Sequence, residues 1–581
     1  MRKVPRALLL ILILVAAWTT SVAGQTATAL LSQPASQEFI PLSSPVYAEM
    51  DALYLITGNG TPSNARPWTK TEASLILGRI DRAFLAGPAI SLYDSLAAAI
   101  KPGLKFSLGE DFQFGVGFDI AFETYLHQNS ASYDIEENWI YGAEQRKPLA
   151  RLRLDFSVGN FFYTYCDLQY GRNRFNYLDN IRVASSVYTG GIGTLVDSSA
   201  TDASGALIVV SDSAIYSPTF MTNYLEHSYD VDFITPKRAI AAVGGAKWDF
   251  ALARDKLSWG NGHTGDFIVG SQGDYQDFAR LTVFADRFKY QWLNIFLETN
   301  PSPGEAKDTK FKMLMAHRLE FRILKSLTLA VSEDIMYQND VFDLRYLNPA
   351  YIYHELNNRS MFNAIAHAEL DWNFAKGLNL YGQFVMDQAR APNEGDSQSD
   401  AMGYMGGLEY AGVAGPGILE SSLEFVLTSP LLYRRDAVDF LMFRKYFTHG
   451  NPGVGYILAV DYVGYQYGGD AMVLQWDTKW RLPDSGSLSL RLFGMRHGEV
   501  YYYNAVGPSY TGTTPSGDKV DETFVASLTG EYELRRLLRW PQTSIWAELD
   551  WILKRSYTLS TGNYSPISAD LQFTTGISLS L

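Results

Sequence analysis

Apolar and polar residues along this chain change period once. Between about Ser43 and Ile100 the apolar positions recur at helical spacing, and beyond them they alternate one by one to the C-terminus. In the first stretch Ser44-Pro45 opens a segment that runs through Ile56, with Leu53 and Ile56 on one face. A turn at Gly58-Asn59-Gly60 follows, and Thr69 and Glu72 then stand at capping-box spacing ahead of Leu75, Ile76, Leu77 and Ile80. A third segment runs from about Pro88 to Ile100 and stops at Lys101-Pro102-Gly103. The pattern predicts a small bundle of about three helices.

The alternating region begins with Phe112, Phe114, Val116, Phe118, Ile120 and Phe122 on one parity. Leu152, Leu154, Phe156 and Val158 repeat the pattern before a hairpin turn at Gly159-Asn160. It recurs at His317–Ile323, Leu378–Met386, Leu419–Leu427 and Ile545–Leu553, and it persists to Leu581. A soluble β-sandwich also alternates. Two features favour a membrane barrel instead. The polar parity carries full charges (Arg318, Glu320, Arg322; Glu369, Asp371; Glu548, Asp550), as an aqueous lumen would allow. The runs also extend over about nine to eleven residues, the length of a tilted membrane strand. The fold class predicted is an all-β membrane protein: a large antiparallel transmembrane β-barrel preceded by a small α-helical bundle. At roughly 25 residues per strand with its loop, the region from Gly109 to Leu581 holds about 16 to 20 strands, and the even number 18 is our expectation. The polar insertion from about Asp179 to Ser228 is expected to form one large extracellular loop.

The N-terminus supplies the compartment. Arg2, Lys3 and Arg6 precede an apolar run from Ala7 to Trp18 and the small residues Ser21-Val22-Ala23-Gly24, the three regions of a secretory signal peptide. The expected organisation is a signal peptide over 1–24, a helical bundle plugging the periplasmic end over 25–103, and a barrel over 104–581, in the outer membrane. No later run approaches the ~18 apolar residues of a spanning helix. Cys166 is the one cysteine, so no internal disulfide forms. Cleavage takes three positive charges from a net −14, leaving −17, a balance that repels nucleic acid. Tyr and Trp, 36 and 12 of them, suit membrane interfaces and sugar-stacking surfaces alike.

Gly260-Asn261-Gly262-His263-Thr264-Gly265 matches the dinucleotide fingerprint formally, but Asp266-Phe267-Ile268-Val269-Gly270 follows with no helix to face a pyrophosphate. His354-Glu355 begins like a zinc-protease helix, yet Asn358 stands where the second histidine must lie. No nucleophile elbow occurs, and neither an enzyme, a cofactor nor a metal site is expected. Two segments, around Trp259-Gly260-Asn261-Gly262-His263 and Tyr346–His354, join aromatic rings to flexible backbone and polar groups. Sugars are bound by a ring face under their C–H groups with polar side chains on the hydroxyls. Trp259, Asn261, His263, Asp266, Tyr351 and His354 are therefore candidate polysaccharide contacts. The alternative for each is a turn packed in the barrel mouth, its glycines chosen for backbone shape.

Four stretches resemble the Wzi family of capsule-assembly outer-membrane proteins. They are Ile40–Tyr47 with Arg66-Pro67-Trp68-Thr69, then Leu257–Gly262, then His317–Phe321 leading to Ser332-Glu333 and Tyr346–Pro349, and finally Leu380–Gln383 leading to Asp387. The resemblance implies an 18-stranded barrel, stoppered from the periplasm by the helices and closed outside by loops. It also implies a surface lectin that holds capsular or extracellular polysaccharide on the cell. The barrel is expected to be a monomer in outer-membrane lipid. Two features depart from the family pattern: the C-terminal Leu581 in place of an aromatic, and the insertion at Asp179–Ser228. A porin or transporter for small polar solutes is the alternative function.

Overall fold

The computed structural model describes residues 37–581 except 102–104, 108, 110, 129–146, 171–185, 190–193, 202–206, 212–221, 224–235, 274, 300–310, 342–343, 354–360, 389–398, 435–437, 448–455, 484, 502–511 and 535–541. The expected signal peptide lies outside the described residues. Eighteen long strands form one sheet: β1 (Phe112–His127), β2 (Ala150–Val158), β3 (Phe162–Tyr170), β4 (Ala239–Gly245), β5 (Trp248–Asp255), β6 (Gln276–Phe284), β7 (Phe288–Leu297), β8 (Phe311–Leu324), β9 (Leu327–Asn339), β10 (Phe362–Ala375), β11 (Leu378–Gln388), β12 (Ala401–Ala414), β13 (Gly417–Thr428), β14 (Ala471–Leu482), β15 (Gly486–His497), β16 (Lys519–Glu533), β17 (Gln542–Thr558) and β18 (Ser568–Ser580). Each pairs antiparallel with the next. The sheet closes because β18 pairs with β1, from Gln572 opposite His127 to Ser580 opposite Asp119. Leu581 extends this seam, donating its N–H to the Phe118 carbonyl at 2.8 Å and accepting from the Phe118 N–H at 3.1 Å. A closed ladder leaves no strand edge unpaired, the condition for a sheet in hydrocarbon.

Connections alternate in length. Ala246-Lys247 joins β4 to β5 and Lys376-Gly377 joins β10 to β11, whereas 256–275 and 429–470 link β5 to β6 and β13 to β14. One rim is therefore built of short turns and the other of long loops. Most outward side chains are apolar and many are exposed, among them Leu423, Phe425, Leu474 and Trp551, while their strand neighbours Glu424, Gln475 and Asp550 are buried inside. Water would not tolerate such a belt on a barrel of this size; a bilayer solvates it. Among the described residues no helix is long and apolar enough to cross a membrane, so the strands do the crossing.

The helical reading holds closely. Helices α1 (Val46–Ile56), α2 (Lys70–Leu77) and α3 (Pro88–Ile100) bury Met50, Leu53, Ile76, Leu92 and Leu96 against one another. Thr69 caps α2 by accepting the Glu72 N–H at 3.2 Å. The Glu72 carboxylate does not complete the box; it reaches the barrel wall and pairs with Lys289 at 2.6 Å. The bundle lies at the short-turn rim, where Gly60 donates to the Lys325 carbonyl, Gly377 to that of Leu55, and Arg79 to that of Ala285.

Two features go beyond the expectations. The insertion at Asp179–Ser228 is not a bare loop: Ser186–Thr189, Thr194–Thr201 and Leu207–Ser211 join Leu441–Phe447 and Tyr456–Tyr462 in a separate five-stranded sheet. Nor is the interior uniformly aqueous. Toward the long-loop side the inward parity turns apolar, with Leu293, Leu314, Met336, Val385, Val426, Phe493 and Val525 in one buried cluster. Leu257, Phe267, Ile268, Tyr433 and Val463, carried inward by two long loops, complete it. Loops that fold into a barrel bring apolar side chains with them, and the wall supplies the matching surface.

The lipid-facing belt is testable. Leu423→Arg, in the middle of β13 and facing outward, is expected to cost about 2–4 kcal/mol of folding stability in vesicles, as a cation near the bilayer midplane does. Denaturant titration followed by tryptophan fluorescence measures it.

Candidate functional site

The first predicted segment lies in the connection from β5 to β6, which descends into the lumen until it meets the segment ahead of α2. Ser258-Trp259 there pairs antiparallel with Ala65-Arg66, just ahead of α2. Trp259 also donates its backbone N–H to the Val269 carbonyl at 3.0 Å, and Gly260 donates to that of Asn64 at 3.1 Å. Two glycines permit this approach. A Cβ on Gly260, whose φ is +148°, would stand 2.2 Å from Asp266 Oδ1; one on Gly262 would stand 2.0 Å from the Gly265 carbonyl. The Gly-Asn-Gly run is thus selected by backbone crowding inside a barrel, not by a phosphate.

Each candidate side chain in this loop has a wall partner. Trp259 is 0% exposed and its indole N–H is bonded to Gln291, so neither ring face is open to a sugar. Asn261 donates to the Leu370 carbonyl at 3.0 Å and to Asp371 at 2.9 Å. Asp266, 3% exposed, accepts from Ser258, Gln383 and the Gly262 N–H. Burial raises the Asp266 pKa above the ordinary carboxylate value, and those three donors oppose the rise. The backbone N–H groups of His263 and Thr264 both donate to Glu424 at 2.8 Å, and Tyr381 donates to the same carboxylate.

His263 differs from its neighbours because it faces open space. Its ring bonds Glu409 at 2.6 Å and tilts over Tyr381, and its other side lines a cavity of about 610 Å³. The cavity lies between α1 and the inner wall of β12–β17, lined by Asp51, Ser421, Asp477, Arg491 and Glu548 among others. Burial by itself would depress the His263 pKa. The bond to Glu409 and the charges of Glu409, Glu424 and Asp477 outweigh it, holding the imidazole up at about 9.

The second predicted segment is elsewhere and does not enter the lumen. Tyr353 is buried among Met313, Met315, Ile335, Tyr337 and Phe362, all on the outward parity, so the connection from β9 to β10 straps the outside of the wall. Trp292 and Tyr290 fasten it, donating to the Tyr353 hydroxyl at 3.1 Å and the Pro349 carbonyl at 2.5 Å. Tyr351 sits half-buried at the edge of this strap. His354 lies outside the described residues. The structure therefore groups Trp259, Asn261, His263 and Asp266, and leaves Tyr351 on another face.

What pattern reading passed over is the wall side of the joint. Lys289 meets Glu72, Ser63 Oγ and the Ala65 carbonyl within 2.9 Å. Arg280 meets Asp249 and the Pro67 carbonyl, and Arg318 holds Glu320 and Glu369 at 2.9 Å each. Asn64 reaches the carboxylates of Glu369 and Asp371 at 2.7 and 2.8 Å. Their only signal in sequence was a charge on the inward parity.

Comparison with known proteins finds likeness in fold alone. No family model and no curated protein matches the chain. Among solved structures, the Escherichia coli outer-membrane protein Wzi, described as a carbohydrate-binding β-barrel involved in group 1 capsule assembly, superposes with a TM-score of 0.55. It is 11% identical, and the match covers 93% of this chain and 99% of that one. The Pseudomonas aeruginosa proteins OccK3 and OprD give TM-scores of 0.36 and 0.37 at 9% and 7% identity, over 81% of this chain and 95% of theirs. The chain has the fold of an outer-membrane β-barrel.

Two outcomes are expected. Lys289→Met strands the Glu72 carboxylate in a buried site and costs about 3–5 kcal/mol, seen as faster proteolysis of residues 37–101. Because the His263 pKa in the fold stands at about 9 against an ordinary 6.5, its stabilising contribution is complete below pH 6.5 and lost as pH rises through 9. The gap in melting temperature between the native chain and His263→Gln closes over that window.

Proposed function

We propose that this chain is a non-enzymatic, monomeric outer-membrane barrel that binds surface polysaccharide and anchors or assembles capsular or extracellular polysaccharide at the cell surface. The observation that carries this reading is the closure of the lumen. A plug from the short-turn rim and a loop from the opposite rim are hydrogen-bonded to each other mid-barrel, and an apolar cluster packs between the loops and the wall. A wide barrel filled in this way is poorly suited to free diffusion, and its usable surface is the long-loop rim. The likeness in fold to a barrel described as carbohydrate-binding points the same way. Of the candidate contacts, Tyr351 has a partly open ring and His263 an open cavity; Trp259 and Asp266 are committed to the interior.

The alternative, a porin or transporter, is favoured by that cavity of about 610 Å³ beside α1, whose lining of carboxylates, hydroxyls and Arg491 would suit a small polar solute. The two readings separate cleanly. Refolded protein is expected to retain capsular or extracellular polysaccharide on a glycan array, and Tyr351→Ala to weaken retention about three- to tenfold, the value of one aromatic contact of about 0.5–1.5 kcal/mol. A blank array with steady conductance in planar bilayers would instead establish transport.

A further inference from the structure

The outer wall of β13–β17 carries a depression with a polar cap. Phe425, Leu474, Gly494, Phe524 and Leu553 stand opposite one another across five neighbouring strands, all facing outward. Gly494 is the gap in this row: a Cβ built there would find only the Leu474 carbonyl, at 4.0 Å. The missing side chain leaves an apolar groove of about 510 Å³ between the rings of Phe425 and Phe524. One step toward the long-loop rim, the next outward row is Met472, Arg496, Glu522 and Arg555. Glu522 takes the Nε of both arginines, at 3.2 and 2.7 Å. The guanidinium of Arg555 also lies over the Tyr564 ring, 4.0 Å from its centre. The terminal nitrogens of both arginines make no other ion pair or hydrogen bond among the described residues, and the two side chains are 46% and 40% exposed.

Charge on the lipid-facing side is expensive unless something in the membrane meets it. One carboxylate between two guanidinium groups leaves a net positive charge, with two planar forks held at fixed spacing above an acyl-sized slot. A forked guanidinium matches the oxygens of a phosphate. Short turns face the periplasm in barrels of this kind, so the forks stand at the level of the outer leaflet. We propose that this groove binds a phosphate-bearing, multiply acylated glycolipid of the outer leaflet, with one acyl chain over Gly494 and a phosphate on Arg496 and Arg555. The inference rests on the barrel and its orientation, and it is independent of whether the loops bind polysaccharide.

Native mass spectrometry of the full-length purified barrel tests it, with diphosphorylated lipid A, its dephosphorylated form and dioleoylphosphatidylglycerol as probes. The expected result is at least tenfold tighter retention of the diphosphorylated glycolipid than of the dephosphorylated one. The double variant Arg496→Gln, Arg555→Gln is expected to abolish that preference, and Gly494→Leu to weaken glycolipid retention by filling the slot. Heat-modifiable gel mobility shows that each variant is folded. Equal retention of the two glycolipids, an undiminished preference in the glutamine variant, or phosphatidylglycerol held as tightly as the diphosphorylated lipid would overturn the proposal.

Discussion

Most backbone groups in the barrel wall are committed to the neighbouring strands. Closing the ladder from β18 to β1 uses the N–H and C=O groups of the paired strands laterally, so chain entering the lumen finds most of them taken. Its peptide groups must be satisfied by the inserted segments themselves or by side chains. The pairing of Ala65-Arg66 with Ser258-Trp259 is the first solution: plug and loop become each other's strand. The inward charges are the second. Lys289 donates to the Ala65 carbonyl, Arg280 to that of Pro67, and Glu424 accepts the N–H groups of His263 and Thr264. Alternating charges that read as the lining of a water-filled lumen are in large part the hydrogen-bond partners of a peptide inserted there.

That requirement arranges the interior in layers. At the short-turn rim the helices pack on one another and leave the polar cavity beside α1. Above it lies the joint, where buried carboxylates and cations are paired at close range because an unpaired charge would be too costly. Beyond that, the side chains of the two inward loops and the wall form an apolar core inside a membrane protein. The outer surface follows the opposite logic, largely apolar against lipid, with Arg496, Glu522 and Arg555 as a charged cluster on β15–β17.

The two predicted binding segments illustrate how composition misleads about exposure. Trp259-Gly260-Asn261-Gly262 has the makings of a sugar platform, but its glycines admit Asp266 and the Gly265 carbonyl at distances no Cβ would permit, and Trp259 is enclosed. Tyr346–Tyr353 looked equally suited to a mouth, yet it lies against the outward residues Met313 and Met315. A loop residue carries no periodic mark of which side of a wall it will take. His263 was distinguishable from its neighbours only once the fold had set Glu409 and a cavity beside it.

By itself the sequence determined the helices and the parity of the strand runs it marked, because each depends on residues two to four apart. The cap at Thr69 and the outward row at Leu423 and Phe425 are local, as is the turn after Val158, although it takes three residues, Gly159 to Phe161, instead of the two expected. The tertiary structure alone decided what fills the barrel. Lys289 and Glu72 are 217 residues apart and Thr264 and Glu424 are 160 apart, so no period connects them. It also turned the Asp179–Ser228 insertion partly into a sheet by pairing Val187 with Leu458 across the gap between two loops. Local spacing fixes which face a side chain takes; only closure of the wall brings distant faces to the same place.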